Sequence, residues 1–489
     1  MKDNELVFTR TLAQRAGTIP ATEYQKVRSF LNNILKVDPE MKMSYVLASP
    51  RTFFPLLKCV LLLLIGGSTF AALAQQSLNS VDRDRGHVML RDIKDDLKKN
   101  YYDPTYRGMD LDARFKVAND NIDKASSIGQ IFGIVAKTLL DLNDSHTFFL
   151  PPERAASFEY GWQVQMIGDK AFVVAVKPAS DAEAKGLAPG DQVVSVDGVG
   201  LTRQNLWVFH YLYNALRPQQ QSRVVIVKPD GSQQQIAVAT KVVEGKRRLN
   251  LTTLGNDFND LIRESENEQR LHRHRYVELG KEVFVWKMPE FDLSNDGVDE
   301  MVDKFRHRGS LILDLRGNGG GYVETLLRLI GNVIAHDVKV GDLKSRKESK
   351  PMMAKTRGSE VFSGKLVVII DNGSGSAAEL FARIVQLEKR GIVIGDTSAG
   401  KVMQARSYTH QLGADTVVLY GVNITNADII MTDGKSLEGT GVVPDEIKLP
   451  TASDLAAKRD PVLAYAVSLV GETLSPEKAG GLFPLEWKK

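Results

Sequence analysis

Apolar residues recur at helical spacing from Val88-Met89-Leu90 through Leu97, and again from Ile128 to Leu142. That spacing predicts a mostly helical segment over 75–158, closed by the double proline Pro151-Pro152. The pattern then shortens. Gln163-Val164-Gln165-Met166, Ala171 to Val176, Gln192 to Val196 and Arg223 to Val227 are brief apolar or alternating runs, which predict strands. From Tyr276 onward strand-like and helix-like runs alternate. Val283 to Trp286 predicts a strand, Asp299 to Arg306 a helix, Leu311 to Leu315 a buried strand and Tyr322 to Val333 a helix. Two further apolar runs, Leu366 to Ile370 and Ile392 to Ile394, predict strands, and Asp460-Pro461 opens a last short helix. No internal repeat is evident.

These changes divide the chain into a leader (1–74), an N-terminal helical region (75–158), a small β domain (159–242), a charged linker (243–275), an α/β core (276–450) and a C-terminal helical segment (451–489). The linker lacks a clear period. Its His272 and His274 have no third ligand at a sensible spacing, so the sequence predicts no metal site.

Composition adds limits. The chain has 489 residues, 43% hydrophobic and 25% charged, an ordinary globular balance with length for several domains. One cysteine, Cys59, precludes an intrachain disulfide. Arg51 and Lys58 precede the apolar run Cys59 to Ile65, and Ala72-Leu73-Ala74 supplies a small-x-small cleavage pattern. The run is shorter than the roughly 20 residues of a membrane span. An export signal cleaved after about Ala74 is therefore expected, giving a periplasmic or secreted protein, with membrane association as the alternative. The signal begins late, so translation from Met41 or Met43 would give it a normal length. Removing the leader turns a formal charge of +3 into near neutrality. Together with the lack of a basic-aromatic groove pattern, this argues against a nucleic-acid partner.

The candidate chemistry lies after three core strands. Ser376, in Asn372-Gly373-Ser374-Gly375-Ser376-Ala377-Ala378-Glu379, and Lys401, in Gly395 to Lys401, each follow an apolar run. A hydroxyl needs a base to become a useful nucleophile, and a lysine kept neutral by burial can serve. Ser376 with Glu379 also has the spacing of a helix capping box, a role compatible with catalysis. The run Gly317-Asn318-Gly319-Gly320-Gly321 lacks the Gly-Lys-Ser/Thr of a phosphate loop and does not fit a dinucleotide fingerprint. It suits an oxyanion hole, where backbone amides approach a reacting carbonyl, and the Ala377 amide would supply a second donor.

Two resemblances follow. Ala182 to Asp191, containing Gly186-Leu187-Ala188-Pro189-Gly190-Asp191, and then Asp197-Gly198 resemble a PDZ domain. This implies capture of an extended peptide tail at a sheet edge, with the loop Gly161-Trp162-Gln163 holding its terminal carboxylate. The chain from about 85 to 470 resembles the C-terminal-processing (tail-specific) serine proteases. The resemblance rests on Asp144-Ser145-His146-Thr147, the PDZ-like insertion, Asp314 to Gly321, the Ser376 and Lys401 segments, and Glu438 to Asp445. It implies a crotonase/ClpP-like α/β core and peptide-bond hydrolysis through an acyl-enzyme without cofactor or metal. It also implies Ser376 as nucleophile, Lys401 as base, and Gly320 and Ala377 as oxyanion donors.

The sequence departs from that family after the lysine. Val402 stands in place of a glycine, and Gln404 lies one position earlier than the family's glutamine, so Gln404 orients Lys401 only if the loop shifts by one residue. His146 is an alternative base, as in the tricorn-like branch, or a structural histidine. Glu438 is a polar partner near the site or a turn residue. The expected function is an exported serine endopeptidase acting on protein tails. The alternative is a catalytically inactive peptide- or ligand-binding protein on the same scaffold.

Overall fold

The computed structural model describes residues 78–154, 156–244, 273–413 and 418–487. The expected leader and most of the charged linker lie outside the described residues.

Six strands form the central sheet, in the order Glu446–Ile447, Ile392–Gly395, Lys365–Ile370, Ser310–Asp314, Val283–Lys287 and Arg275–Leu279. All neighbours run parallel except the last pair. A parallel sheet buried on both faces needs near-continuous apolar strands, which is how these read. Phe284, Trp286, Leu311, Leu313, Val368 and Ile370 point to one face, against the helices Asn295–Asp303, Val323–Val333 and Ala377–Leu387. Val283, Val285, Ile312, Val367 and Ile369 point to the other, against Pro461–Leu469. The helix expected at Asp299 begins earlier, at Asn295, because the Ser294 hydroxyl caps it by accepting the Gly297 amide at 3.2 Å. The last helix starts as read, with Asp460 accepting the Leu463 amide at 2.9 Å.

A second sheet was not anticipated. The long strand Val418–Met431 pairs with Phe148–Leu150, Val338–Ser345 and Met403–Leu412, and Ser349–Ala354 extends it. Three helices, Ser80–Asn100, Leu111–Asp123 and Ile128–Leu140, share one apolar cluster with Val422 and Ile424 of this strand. The same cluster continues into a small antiparallel sheet of Trp162–Ile167, Lys170–Val176, Gln192–Val196, Gln221–Val227 and Gln233–Ala239, in that order. Trp162–Ile167 is an edge strand of this sheet. Among the described residues no helix is long and apolar enough to cross a membrane.

Candidate active site

The carboxyl ends of parallel strands are where open α/β sheets present their loops, and the candidate residues stand there. The strand Ser310–Asp314 leads into the glycine run, Lys365–Ile370 into Ser376, and Ile392–Gly395 into Lys401. Asp371 joins the first two loops: its Oδ1 accepts the amides of Gly317 at 2.8 Å and Gly373 at 2.9 Å. The Asn318 carbonyl accepts the Gly375 amide at 2.8 Å.

Ser376 caps the helix Ala377–Leu387 with φ 52° and ψ −117°, a conformation few non-glycine residues adopt. Such strain is held only when surrounding bonds impose it. Here the Ser376 amide donates to the Lys401 carbonyl at 2.9 Å and to Glu379 Oε2 at 3.0 Å. Gly320, at φ +109°, lies directly against the serine, and a Cβ there would sit 2.6 Å from Ser376 Cβ. Its own amide donates to Asn318 Oδ1 at 2.8 Å, so Gly320 makes room for the serine while its N–H is engaged within the run. Ala377 is the first residue of the helix, where an N–H has no partner in the preceding turn, and the helix dipole favours negative charge at that point.

Glu379 is the residue the sequence reading undervalued. It is fully buried. Its Oε1 accepts the Ser398 hydroxyl at 2.6 Å and the Gly400 amide at 2.7 Å, while Oε2 accepts the Lys401 amide at 2.9 Å as well as that of Ser376. The carboxylate thus ties the serine loop to the lysine loop. Burial raises its pKa, against the pull of these donors. The capping-box spacing was the available signal, and it pointed only to the bond within the helix.

Burial lowers the Lys401 amine, and Glu379 and Glu438 oppose that shift. The amine sits 5.2 Å from the centroid of the Trp207 ring, on the helix Leu206–Tyr211 of the small sheet. Gln404 begins no bond to Lys401 among the described residues. It pairs with Ala427, and a β-bulge falls between Gln404 and Ala405, at the point where the sequence required a one-residue shift.

His146 lies in a connected polar chain. Its Nδ1 is 2.7 Å from Ser145 Oγ, and that hydroxyl donates to Glu438 Oε2 at 2.9 Å. With Glu438 ionised the hydroxyl proton goes to the carboxylate, so Nδ1 donates and Nε2 is the basic nitrogen. Glu438 also accepts the Ser145 amide at 2.8 Å and the Val402 amide at 2.9 Å, so it joins the histidine turn to the residue after Lys401. Burial pushes Glu438 up to about 7, partly opposed by the Ser145 and Val402 amides. Burial lowers His146, with Asp144 opposing the shift and Lys401 adding to it. Asp144 Oδ1 fixes the turn by accepting the amides of His146 and Thr147 and the Thr425 hydroxyl.

The loop expected to hold a peptide carboxylate leads into the edge strand Trp162–Ile167. Gly161 has φ +75°, and a Cβ there would meet Ser180 Cβ at 2.6 Å. Trp162 is buried at the start of the edge strand, and Gln163 is exposed beside it. His274 Nε2 donates to Asp292 Oδ1 at 2.8 Å, and its Nδ1 accepts the Trp286 indole N–H at 3.1 Å.

The chain is similar to known proteins in sequence and fold. Residues 283–447 match Peptidase family S41. The tail-specific protease of Haemophilus influenzae is 27% identical over 347 residues, covering 66% of this chain and 46% of that protein. The carboxy-terminal processing protease CtpA of Bacillus subtilis is 23% identical over 355 residues, covering 68% of this chain and 69% of its own length. The chain therefore spans about half the length of the first relative. The solved structure of mature CPAF complexed with lactacystin shares the fold, with a TM-score of 0.57 at 14% identity over 77% of this chain and 96% of that one.

Proposed function

We propose that this chain, whose residues 283–447 match Peptidase family S41, is an exported serine endopeptidase that cleaves protein tails through Ser376. The observation that carries the reading is the strained Ser376 at a helix start, pressed against Gly320. Ser376 Oγ attacks the scissile carbonyl and forms a tetrahedral intermediate. The Ala377 amide donates to its oxyanion, and an amide of the glycine run completes the pair. Collapse releases the amine and leaves an acyl-enzyme, which water then hydrolyses.

His146 takes the serine proton at Nε2, and Ser145 and Glu438 hold the ring and stabilise the imidazolium that forms. The hydrogen-bond chain from Glu438 through Ser145 to His146 Nδ1 supports this assignment. The second reading gives the base role to Lys401 as a Ser-Lys dyad, favoured by its desolvated amine. The Trp207 face weighs against it, since a ring quadrupole stabilises the ammonium that a base must lose.

A PDZ-like role for the small sheet is supported by its free edge strand Trp162–Ile167, which can accept an extended tail with Gly161, Trp162 and Gln163 at its carboxylate end. The leader pattern supports export. A serine-reactive acylating probe tests the catalytic reading against an inactive binding protein on this scaffold. Labelling is expected on Ser376 and lost in Ser376→Ala. Equal labelling of the two proteins, or none of either, sinks the catalytic reading.

A further inference from the structure

Beside the turn that carries Ser145 and His146 stands an arginine that the mechanism does not use. The loop from Asp103 to Gly108 holds two successive non-glycine residues in the left-handed region, Tyr106 at φ 52° and Arg107 at φ 55°. Asp103 builds it: Oδ1 accepts the Thr105 amide at 2.9 Å and the Thr105 hydroxyl at 2.8 Å, and Oδ2 accepts the Arg107 amide at 2.7 Å. The Tyr106 ring stacks on buried Tyr101, with centroids 6.0 Å apart. The loop therefore fixes the direction in which Arg107 leaves the backbone.

Arg107 is exposed, and its Nη1 donates to the Asn143 carbonyl at 2.6 Å, two residues before Ser145. Although the residue is exposed as a whole, partial desolvation of its guanidinium lowers its pKa, but Tyr102, Tyr101, Asp144 and Glu438 outweigh that and hold it above its ordinary value. Asp144 and Glu438 are close enough to be felt, yet neither pairs with Arg107: three of their four oxygens are committed elsewhere, and the fourth, Asp144 Oδ2, is buried and accepts no hydrogen bond from the described residues. Asp144 Oδ1 takes the donors of its own turn and Thr425, and Glu438 takes those of Ser145 and Val402. Among the described residues no carboxylate forms an ion pair with Arg107. A guanidinium has five N–H donors in a planar fork that matches a carboxylate, and one of them is used here.

We propose that Arg107 is a specificity-determining residue that binds a carboxylate of the substrate beside the Ser145–His146 turn. The proposal rests on the peptidase reading and names its substrate chemistry. The carboxylate can be the terminal one of a protein tail or that of an acidic side chain. Holding the group bidentately beside the base would favour tails over internal segments in the first case, and acidic sequences in the second.

The test is a binding experiment that needs no turnover. Fluorescein-labelled dodecapeptides of Ala, Ser and Leu, free of other charge, are titrated into the full chain carrying Ser376→Ala, followed by anisotropy. One pair differs by a free or amidated C-terminus, the other by one internal Glu or Gln with the C-terminus amidated. The expected preference for the charged member of one pair is about tenfold, the worth of a charge-assisted bond. It should collapse when Arg107→Gln is added and persist in part with Arg107→Lys. Tail capture at the small sheet cancels when preferences are compared with and without Arg107→Gln. The pair that responds identifies the source. An unchanged preference, no preference, or no binding of any peptide overturns the proposal. An equal loss across all four peptides does so too, since it marks Arg107 as a brace for the Asn143 turn. Failure here leaves cleavage by Ser376 separately measurable, so the two readings fail independently.

Discussion

The backbone N–H of Ser376 donates to the carbonyl of Lys401 across 2.9 Å, and Glu379 Oε2 accepts the amides of both. The two loops are therefore positioned by backbone bonds and one buried carboxylate, not by contact between the reactive side chains. Glu379→Ala would leave three donors without an acceptor, the Ser398 hydroxyl and the Gly400 and Lys401 amides, while the Ser376 amide keeps the Lys401 carbonyl. Unmet buried donors cost about 1–3 kcal/mol each before relaxation. A loss of at least 3 kcal/mol in urea unfolding is expected, with kcat reduced in the fraction that stays folded. A loss below 1 kcal/mol would show that the tie is dispensable.

Gly320→Ala tests the close approach to the nucleophile. The added methyl meets Ser376 Cβ at 2.6 Å, at a φ of +109° that L residues rarely adopt. The serine must move, and small displacements of a reacting group are costly in rate. Activity should fall by at least about 100-fold, with KM changed less than kcat. Near-normal kcat would place the reacting group elsewhere.

The two candidate bases separate in their pH profiles. In the histidine reading the chain needs Glu438 ionised, and Glu438 titrates at about 7. Log kcat/KM should therefore rise as pH increases through that point, and Glu438→Gln should remove the limb along with most activity. In the lysine reading the limb follows loss of the Lys401 proton, below the ordinary lysine value because of burial. His146→Ala with retained activity and Lys401→Met without it would overturn the histidine assignment.

The small sheet reaches the lysine loop through Arg203. Its Nη2 contacts Asp396 Oδ1 at 2.6 Å, Nε the Gly168 carbonyl at 2.8 Å, and Nη1 the Thr397 carbonyl at 3.0 Å. Asp396 Oδ2 also accepts the Gly168 amide at 2.8 Å. Arg203→Ala should lower kcat by about tenfold, as expected for a lost positioning contact, and loosen amide protection at Gly168 in hydrogen exchange. Unchanged kcat would mean that the lysine loop holds its shape without the small sheet.

Asp314 anchors the glycine run through charge. It is buried between Lys287 Nζ at 3.1 Å and Arg316 Nη2 at 2.7 Å, and Arg316 also reaches Asp460. Burial alone would raise its pKa, but Arg316 and Lys287 hold it well below the usual carboxylate range. A depressed carboxylate contributes stability above its unfolded pKa of about 3.9, lost as pH falls through the folded value. Asp314→Asn leaves Lys287 and Arg316 facing each other, at a cost of about 3–5 kcal/mol near neutral pH. The deficit against wild type should shrink as pH is lowered below about 4. Urea midpoints across pH measure this, and a deficit that stays constant contradicts it.

Where chemistry followed local pattern, the sequence was readable. The apolar runs around Leu313, Val368 and Val393 became the parallel strands, and the loops after them carry the glycine run, Ser376 and Lys401. The second sheet escaped because Val338–Ser345 and Met403–Leu412 mix polar and apolar residues over half-exposed faces, leaving little period to detect. Glu438 looked like a turn residue because its partner Ser145 lies 293 positions away. No spacing rule links such residues. Trp207 gave no sign of lying over Lys401, since a tryptophan on a short amphipathic helix reads as core.

The most direct measurement is cleavage itself. The purified protein is incubated with an unfolded protein, beside Ser376→Ala, and the products are read by mass spectrometry. The account predicts peptides that accumulate with time for wild type and are absent for Ser376→Ala, whose circular dichroism matches wild type. Equal product from both proteins, or none from a folded wild type, would contradict it.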